Sequence, residues 1–349
     1  MSERTASSAA EERQQAPRIP RSLSALARSM RLPGAWIPFA LVPLALALAP
    51  ALGWIRWFES PAAQRYSETE LLPALDETFR FDHRLDLADL AASTGALGAW
   101  LALLAVLLGC ACAGGALALL AAPAGERSIA RWATGATQTW WRFVRVVLVE
   151  LALLAALGWL LYGLPWRVLV LELWCGLPGG DPQEFASEAS AVRIGWLRDG
   201  LYALGFAGIG LAAVHARTRI ALGDSRSAFV ASARSAWFLL RHPLRAVLPA
   251  ALLGGAHVFA VFALGAFSNA RNHAFETEGA GFQIGVLLVC TLLAILIGAI
   301  ARVAQYALAL ELLPEFEPRL ASTRDWPPAV GAPGGAQYPI DGDEFGVSV

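Results

Sequence analysis

Two ionisable side chains, Glu150 and His257, stand inside otherwise apolar runs, 146–164 and 246–267. A charge held in hydrocarbon is costly, so each raises a functional hypothesis. Glu150 could carry a proton or answer an intramembrane guanidinium. Arg142 and Arg145 precede it by one to two helical turns, so a carboxylate paired with them is the plainer expectation. His257 lies midway along its run, where a neutral imidazole satisfied by a neighbouring helix is plainer than a ligand. A third group, Asp82, His83, Asp86 and Asp89, would put three carboxylates on one helix face. Oxygen-rich clusters can hold Ca²⁺ or Mg²⁺. The intervening Phe81, Leu85, Ala88 and Leu90 instead suggest an amphipathic juxtamembrane helix whose acids are its solvated face. No metal site is therefore expected.

Cys110 and Cys112 project about 200° apart on a helix. With Cys290 they lie in apolar runs, and only Cys175 falls in a polar loop, so no disulfide framework is implied. The sequence holds no HExxH, paired CxxC, Walker-type glycine loop or GxSxG. Enzyme chemistry thus has no positive support, and neither a cofactor nor a nucleic-acid partner is expected.

The elements that must position these residues are six apolar runs, 35–55, 97–121, 146–164, 196–214, 246–267 and 284–301. Each is near the roughly 20 residues that an α-helix needs to cross the hydrocarbon of a bilayer. The chain of 349 residues is 56% hydrophobic and 16% charged, where soluble proteins carry about 25% charged residues. The expectation is an all-α polytopic membrane protein with a transmembrane domain over 18–313. The flanks 1–17 and 314–349, poor in large apolar side chains or rich in Pro, Gly and acid, are expected to be disordered.

Charge sets the expected orientation. There are 27 Arg and no Lys, a bias that, with abundant Ala and Gly, suggests a GC-rich bacterial genome. Nineteen Arg fall on the N-terminal, second–third, fourth–fifth and C-terminal segments; eight fall on the other three loops, which carry 15 acids. The positive-inside rule then places both termini in the cytoplasm of a bacterial inner membrane.

Each Arg-rich segment also holds a short amphipathic stretch ahead of the next span. In the second, Ile129, Trp132, Ala133, Ala136, Trp140 and Phe143 share one helix face, with Arg131 and Arg142 off it. In the third, Phe229, Ala233, Trp237 and Leu240 make the face, with Arg226, Arg234 and Arg241 off it; in the first, Leu23, Leu26 and Met30 do so. The pattern reads as three parallel hairpin repeats, each opened by a cytoplasmic amphipathic helix. Trp132, Trp140 and Trp237 would sit at headgroup level while the Arg residues contact anionic lipid. The alternative is that these helices pack under the bundle as a cap. Pro38, Pro43 and Pro50 should kink the first span. Gly109, Gly114, Gly115, Gly205, Gly208, Gly254, Gly255 and Gly298 should let helix backbones approach closely.

The segment Trp140-Trp141-Arg142-Phe143, and Gly223-Asp224-Ser225-Arg226-Ser227-Ala228 leading to Arg241-His242-Pro243, resemble uncharacterised bacterial six-helix membrane proteins. They are also loosely similar to the membrane domain attached to some glycerophosphodiester phosphodiesterases. The resemblance covers most of 20–315 and implies a fold and a membrane address. It implies no phosphodiesterase activity, because no soluble catalytic domain is present. The leading expectation is a non-enzymatic membrane scaffold or interaction component, partnered by lipid and by an unidentified membrane protein. The rival is a transporter or permease subunit, which would need polar residues converging in the bundle interior.

Overall fold

A computed structural model describes residues 21–58, 83–272 and 280–323. The described residues form helices and turns without strands. In chain order the main helices are α1 (Arg21–Met30), α2 (Pro33–Phe58), α3 (Arg84–Ala121), α4 (Ile129–Tyr162), α5 (Glu188–Ala221), α6 (Ala228–Arg241), α7 (Leu248–Asn272) and α8 (Ala280–Phe316). Six of the helical segments are long and apolar enough to cross a membrane, as the hydropathy pattern requires. The protein is an all-α, multi-pass membrane protein.

Local chemistry accounts for the boundaries. Pro33 opens α2, where its missing N–H is no loss. Ser128 and Ser227 cap α4 and α6, their hydroxyls accepting from the N–H groups of Arg131 and Val230. Pro243 forces His242 out of helical geometry, to φ −127° and ψ 51°, and so ends α6. A π-helical turn, Pro243–Val247, then leads directly into α7.

Helix length and burial together divide the bundle into two halves. α3 has 38 residues and α8 has 37, so each is about 55 Å long against a hydrocarbon thickness of about 30 Å. The excess is packed at one end. Nearly all fully buried side chains come from the first turns of α2, the last turns of α3, α5 and α8, the first half of α4, and α6. α1 and α6 close this end, α1 lying on α8 and α6 on α5 and α4. It is the Arg-rich end, and it holds both Arg21 and Glu315, which pair at 2.9 Å. Towards the opposite end the helices expose Leu, Phe and Trp, as surfaces facing lipid tails do.

Small residues make the tightest crossing. A Cβ on Gly114 would stand 2.3 Å from Thr139 Oγ1 and 2.7 Å from the Gly135 carbonyl; one on Gly115 would meet the Trp132 indole at 2.3 Å. α3 and α4 thus touch backbone to backbone here. Gly205 is similarly close to Leu157 on α4, and Gly298 to His257 on α7. Gly109, Gly208 and Gly255 have open space beside them, so the expected close approach is local to some of these glycines.

Two sequence expectations change. The second amphipathic stretch is no separate helix: α4 runs unbroken from Ile129 to Tyr162, because nothing between Phe143 and Val146 breaks it. α2 is one helix with Pro38, Pro43 and Pro50 inside it. The C-terminal boundary at 313 also moves. α8 passes Pro314 to Phe316, and a 3₁₀ segment Pro318–Thr323 follows, with Leu320 buried in the core. Apolar anchoring by Phe316 and Leu320 outweighs the one hydrogen bond that Pro314 removes. Residues 1–17 and 324–349 lie outside the described residues, as do Phe81 and Asp82 of the acidic cluster.

Candidate functional site at the arginine-rich end

Glu150 is paired, but across helices. Its carboxylate accepts from Arg217 of α5 at 2.8 Å, and Arg217 also donates to the Tyr306 hydroxyl of α8 at 3.5 Å. Arg142 and Arg145, its expected partners, turn elsewhere; the Arg145 guanidinium lies over the Trp141 ring, 5.6 Å from its centroid. Helix geometry explains the choice. Arg145, five residues before Glu150, is rotated about 140° around the helix from it, and Arg142, eight residues before, stands about 12 Å away along the axis, whereas α5 packs directly on α4. Tyr306 in turn stacks on Phe39, and Arg302 lies over the same ring at 5.6 Å. The result is a polar tie joining α4, α5 and α8 within the packed half of the bundle.

A second network closes the end of α5. Gly223, at φ +75°, adopts the left-handed conformation that a helix C-terminus favours. Its N–H reaches the Ile220 carbonyl, and the Asp224 N–H reaches that of Arg219, at 3.1 and 3.0 Å. This reversal carries the Asp224 carboxylate back to the Arg219 guanidinium at 2.9 Å. Arg219, almost fully buried, also donates to both oxygens of Glu317. Arg234 and Arg319 contact the other oxygen of Asp224 at 3.4 and 3.3 Å, and Arg319 pairs with Glu317 at 2.8 Å. The Arg219 hydrogen bond, which outweighs the opposing effect of burial, and the Arg319 hydrogen bond lower the Glu317 carboxyl to about 2, so it stays ionised. A buried guanidinium needs such partners, since an unpaired buried charge is strongly destabilising.

Beside this network lies an open groove of about 920 Å³ between α6 and the turn after α8. Arg219, Arg234, Arg241, Arg319 and Glu317 supply its charge, and Trp237, Phe238, His242 and Phe316 its aromatic surface. Phe238, His242 and Phe316 hold one another, with ring centroids 4.6–5.7 Å apart. Arg241 is exposed and has no hydrogen-bond or ion-pair partner among the described residues.

The remaining expected residues divide between packing and surface. His257 packs beside Gly298 of α8, about 3.2 Å from a Cβ built there, apart from the Glu150 tie. Trp132 turns inward onto Gly115, and Arg131 pairs with Glu126. Trp140 is partly exposed and donates to the Leu107 carbonyl of α3 at 2.9 Å. Arg142 is half-buried, while Arg226 and Trp237 are exposed. On α6 the inward face is the small one, Ala228, Ala231 and Ser235 with Phe238 and Leu239; Phe229, Trp237 and Leu240 point outward. His83 contacts Asp86 at 3.5 Å, and no metal-binding group of His, Cys, Asp or Glu occurs among the described residues.

Sequence reasoning overlooked Arg217, Arg219, Asp224, Tyr306 and Glu317. One signal was present: Arg217-Thr218-Arg219 interrupts the apolar close of α5, immediately before Gly223-Asp224. Comparison with protein-family models, curated proteins and solved structures gives no match.

Proposed function

We propose that this protein is a non-enzymatic, lipid-associated scaffold of a bacterial inner membrane, with both termini and the Arg-rich end in the cytoplasm. The observation that carries this reading is the outward display of α6: Phe229, Trp237 and Leu240 are exposed beside Arg226, Arg234 and Arg241, while Ala228, Ala231, Ser235, Phe238 and Leu239 pack inward. Aromatic rings next to guanidinium groups suit the headgroup layer of an anionic leaflet. The loose similarity to glycerophosphodiester phosphodiesterase membrane domains is kept as a proposal about fold and address alone.

The rival transporter reading would need Glu150 and His257 to act together on a solute or proton path. Glu150 is bound by Arg217, and His257 packs beside Gly298 without joining that pair. The test is purification from native membranes with mass spectrometry of what remains bound, alongside solute and proton flux in proteoliposomes. Retained phosphatidylglycerol or cardiolipin, a co-purifying membrane protein and background flux are the expected results. A solute- or proton-dependent flux abolished by Glu150→Gln would overturn the scaffold reading in favour of transport.

A further inference from the structure

The groove between α6 and the turn after α8 has a composition that fits one ligand. Four guanidinium groups, of Arg219, Arg234, Arg241 and Arg319, stand against the carboxylates of Glu317 and the adjacent Asp224, leaving an excess of positive charge. The inner guanidinium, Arg219, is consumed by its two acids. Arg241 at the rim is not, and its fork of donors matches a phosphate.

Position along the helices narrows the choice. Arg219 lies two residues before the end of α5, Phe316 ends α8, and His242 directly precedes the π-helical turn that leads into α7. The groove therefore lies at the Arg-rich end of the bundle, beside the start of the candidate span Pro243–Ala270. Close to it in sequence, Leu240 at the end of α6, Leu244 in the π-helical turn, and Leu248 and Leu252 at the start of α7 are all more than half exposed. Trp237 flanks the charged part, the place an amphipathic ring takes at a headgroup. A soluble anion would use the arginines and leave these exposed leucines without purpose; an anionic phospholipid uses both.

We propose that this groove binds the phosphate headgroup of an anionic phospholipid, with Arg241 as the main donor and an acyl chain against the exposed leucines. The inference rests on the lipid-associated reading above and assigns it a site. The groove's charge balance gives phosphatidylglycerol preference over phosphatidylcholine, whose headgroup has no net charge.

The test is native mass spectrometry of the full chain from nanodiscs of phosphatidylglycerol or phosphatidylcholine, with Arg241→Gln, Arg241→Lys and Arg193→Gln variants. Arg193 is exposed near the start of α5, at the other end of that helix from Arg219, and does not line the groove, so its variant is the control. Arg241→Gln should weaken phosphatidylglycerol retention about fivefold, the effect of one basic residue at an anionic surface. Arg241→Lys should restore most of it, and Arg193→Gln should leave it unchanged. Because Arg241 has no partner to lose, all variants should unfold at the wild-type temperature. Retention by the wild type with equal behaviour of Arg241→Gln and Arg193→Gln would overturn the groove and leave the lipid-associated reading standing. Absence of retained anionic lipid on the wild type would overturn both. Binding of inorganic phosphate in the groove without retained lipid would overturn the lipid as its ligand, and so would cross-linking of the groove to the acidic segment 324–349.

Discussion

The carboxylate of Glu150 and the guanidinium of Arg217 meet at 2.8 Å although they stand 67 residues apart in the chain. Both are largely withdrawn from solvent, with side chains 22% and 13% exposed, so each is the other's main source of charge compensation. The pair sits where α4, α5 and α8 come together, with the Tyr306 hydroxyl alongside.

Removing one member should therefore cost more than removing both. Glu150→Ala is expected to destabilise the folded protein by about 3 kcal/mol, because it leaves Arg217 uncompensated, and Glu150→Leu with Arg217→Met should recover most of that loss. Thermal unfolding in detergent measures it. Additive losses in the double variant would mean that the two charges do not depend on each other.

The α3–α4 crossing makes a steric prediction. Gly114→Ala must push a methyl against Thr139 Oγ1 and the Gly135 carbonyl, both closer than any real Cβ contact. Separation of the two helices should lower stability by about 1–3 kcal/mol. Gly109→Ala, with open space around it on the same helix, should be neutral or mildly stabilising. Equal behaviour of the two variants would show that α3 and α4 do not touch at Gly114.

Glu317 gives the Arg-rich end a dependence on acid. Its carboxyl titrates at about 2, below the ordinary 4.5, so the folded state prefers it ionised. This stabilisation is fully present above about pH 4.5 and is lost as pH falls from there through about 2. Between those values, wild-type stability should drop more steeply than that of Glu317→Gln. Parallel unfolding curves for the two proteins across this window would refute the linkage.

Sidedness follows from the Arg distribution. Single cysteines at Arg84 and Arg234, in a background without the native Cys residues, should differ in their access to a membrane-impermeant maleimide. In intact cells the Arg84 site should label and the Arg234 site should label only after the membrane is opened. Reaction at the Arg234 site from outside would invert the proposed topology.

Much of the architecture was legible because hydrophobic length is a local property. Each apolar run had to be a helix, since backbone groups inside lipid have no other way to satisfy their hydrogen bonds. The boundary signals are local too: Ser128 and Ser227 cap helices, Pro33 opens one, Pro243 ends one, and Gly223 turns the chain back. Where two local signals competed, pattern reading failed. The aromatic face of 129–143 resembled a surface helix, yet Trp132 and Phe143 are packed in the bundle, because α4 crosses α3 at a glycine contact that draws both inward.

The sequence by itself determined an all-α membrane protein with six apolar helices, and it brought Glu150 and His257 forward as costly residues. It could not determine what they meet. Arg217 reaches Glu150 from another helix, and Glu317, 98 residues beyond Arg219, joins Asp224 on that guanidinium only when α8 docks against α5. The groove likewise exists only because α6 and the turn after α8 converge. Hydropathy measures each segment's transfer into lipid and is blind to which segments then become neighbours. Charge pairing is decided at distances of about 3 Å, and only the packed tertiary structure brings side chains that close.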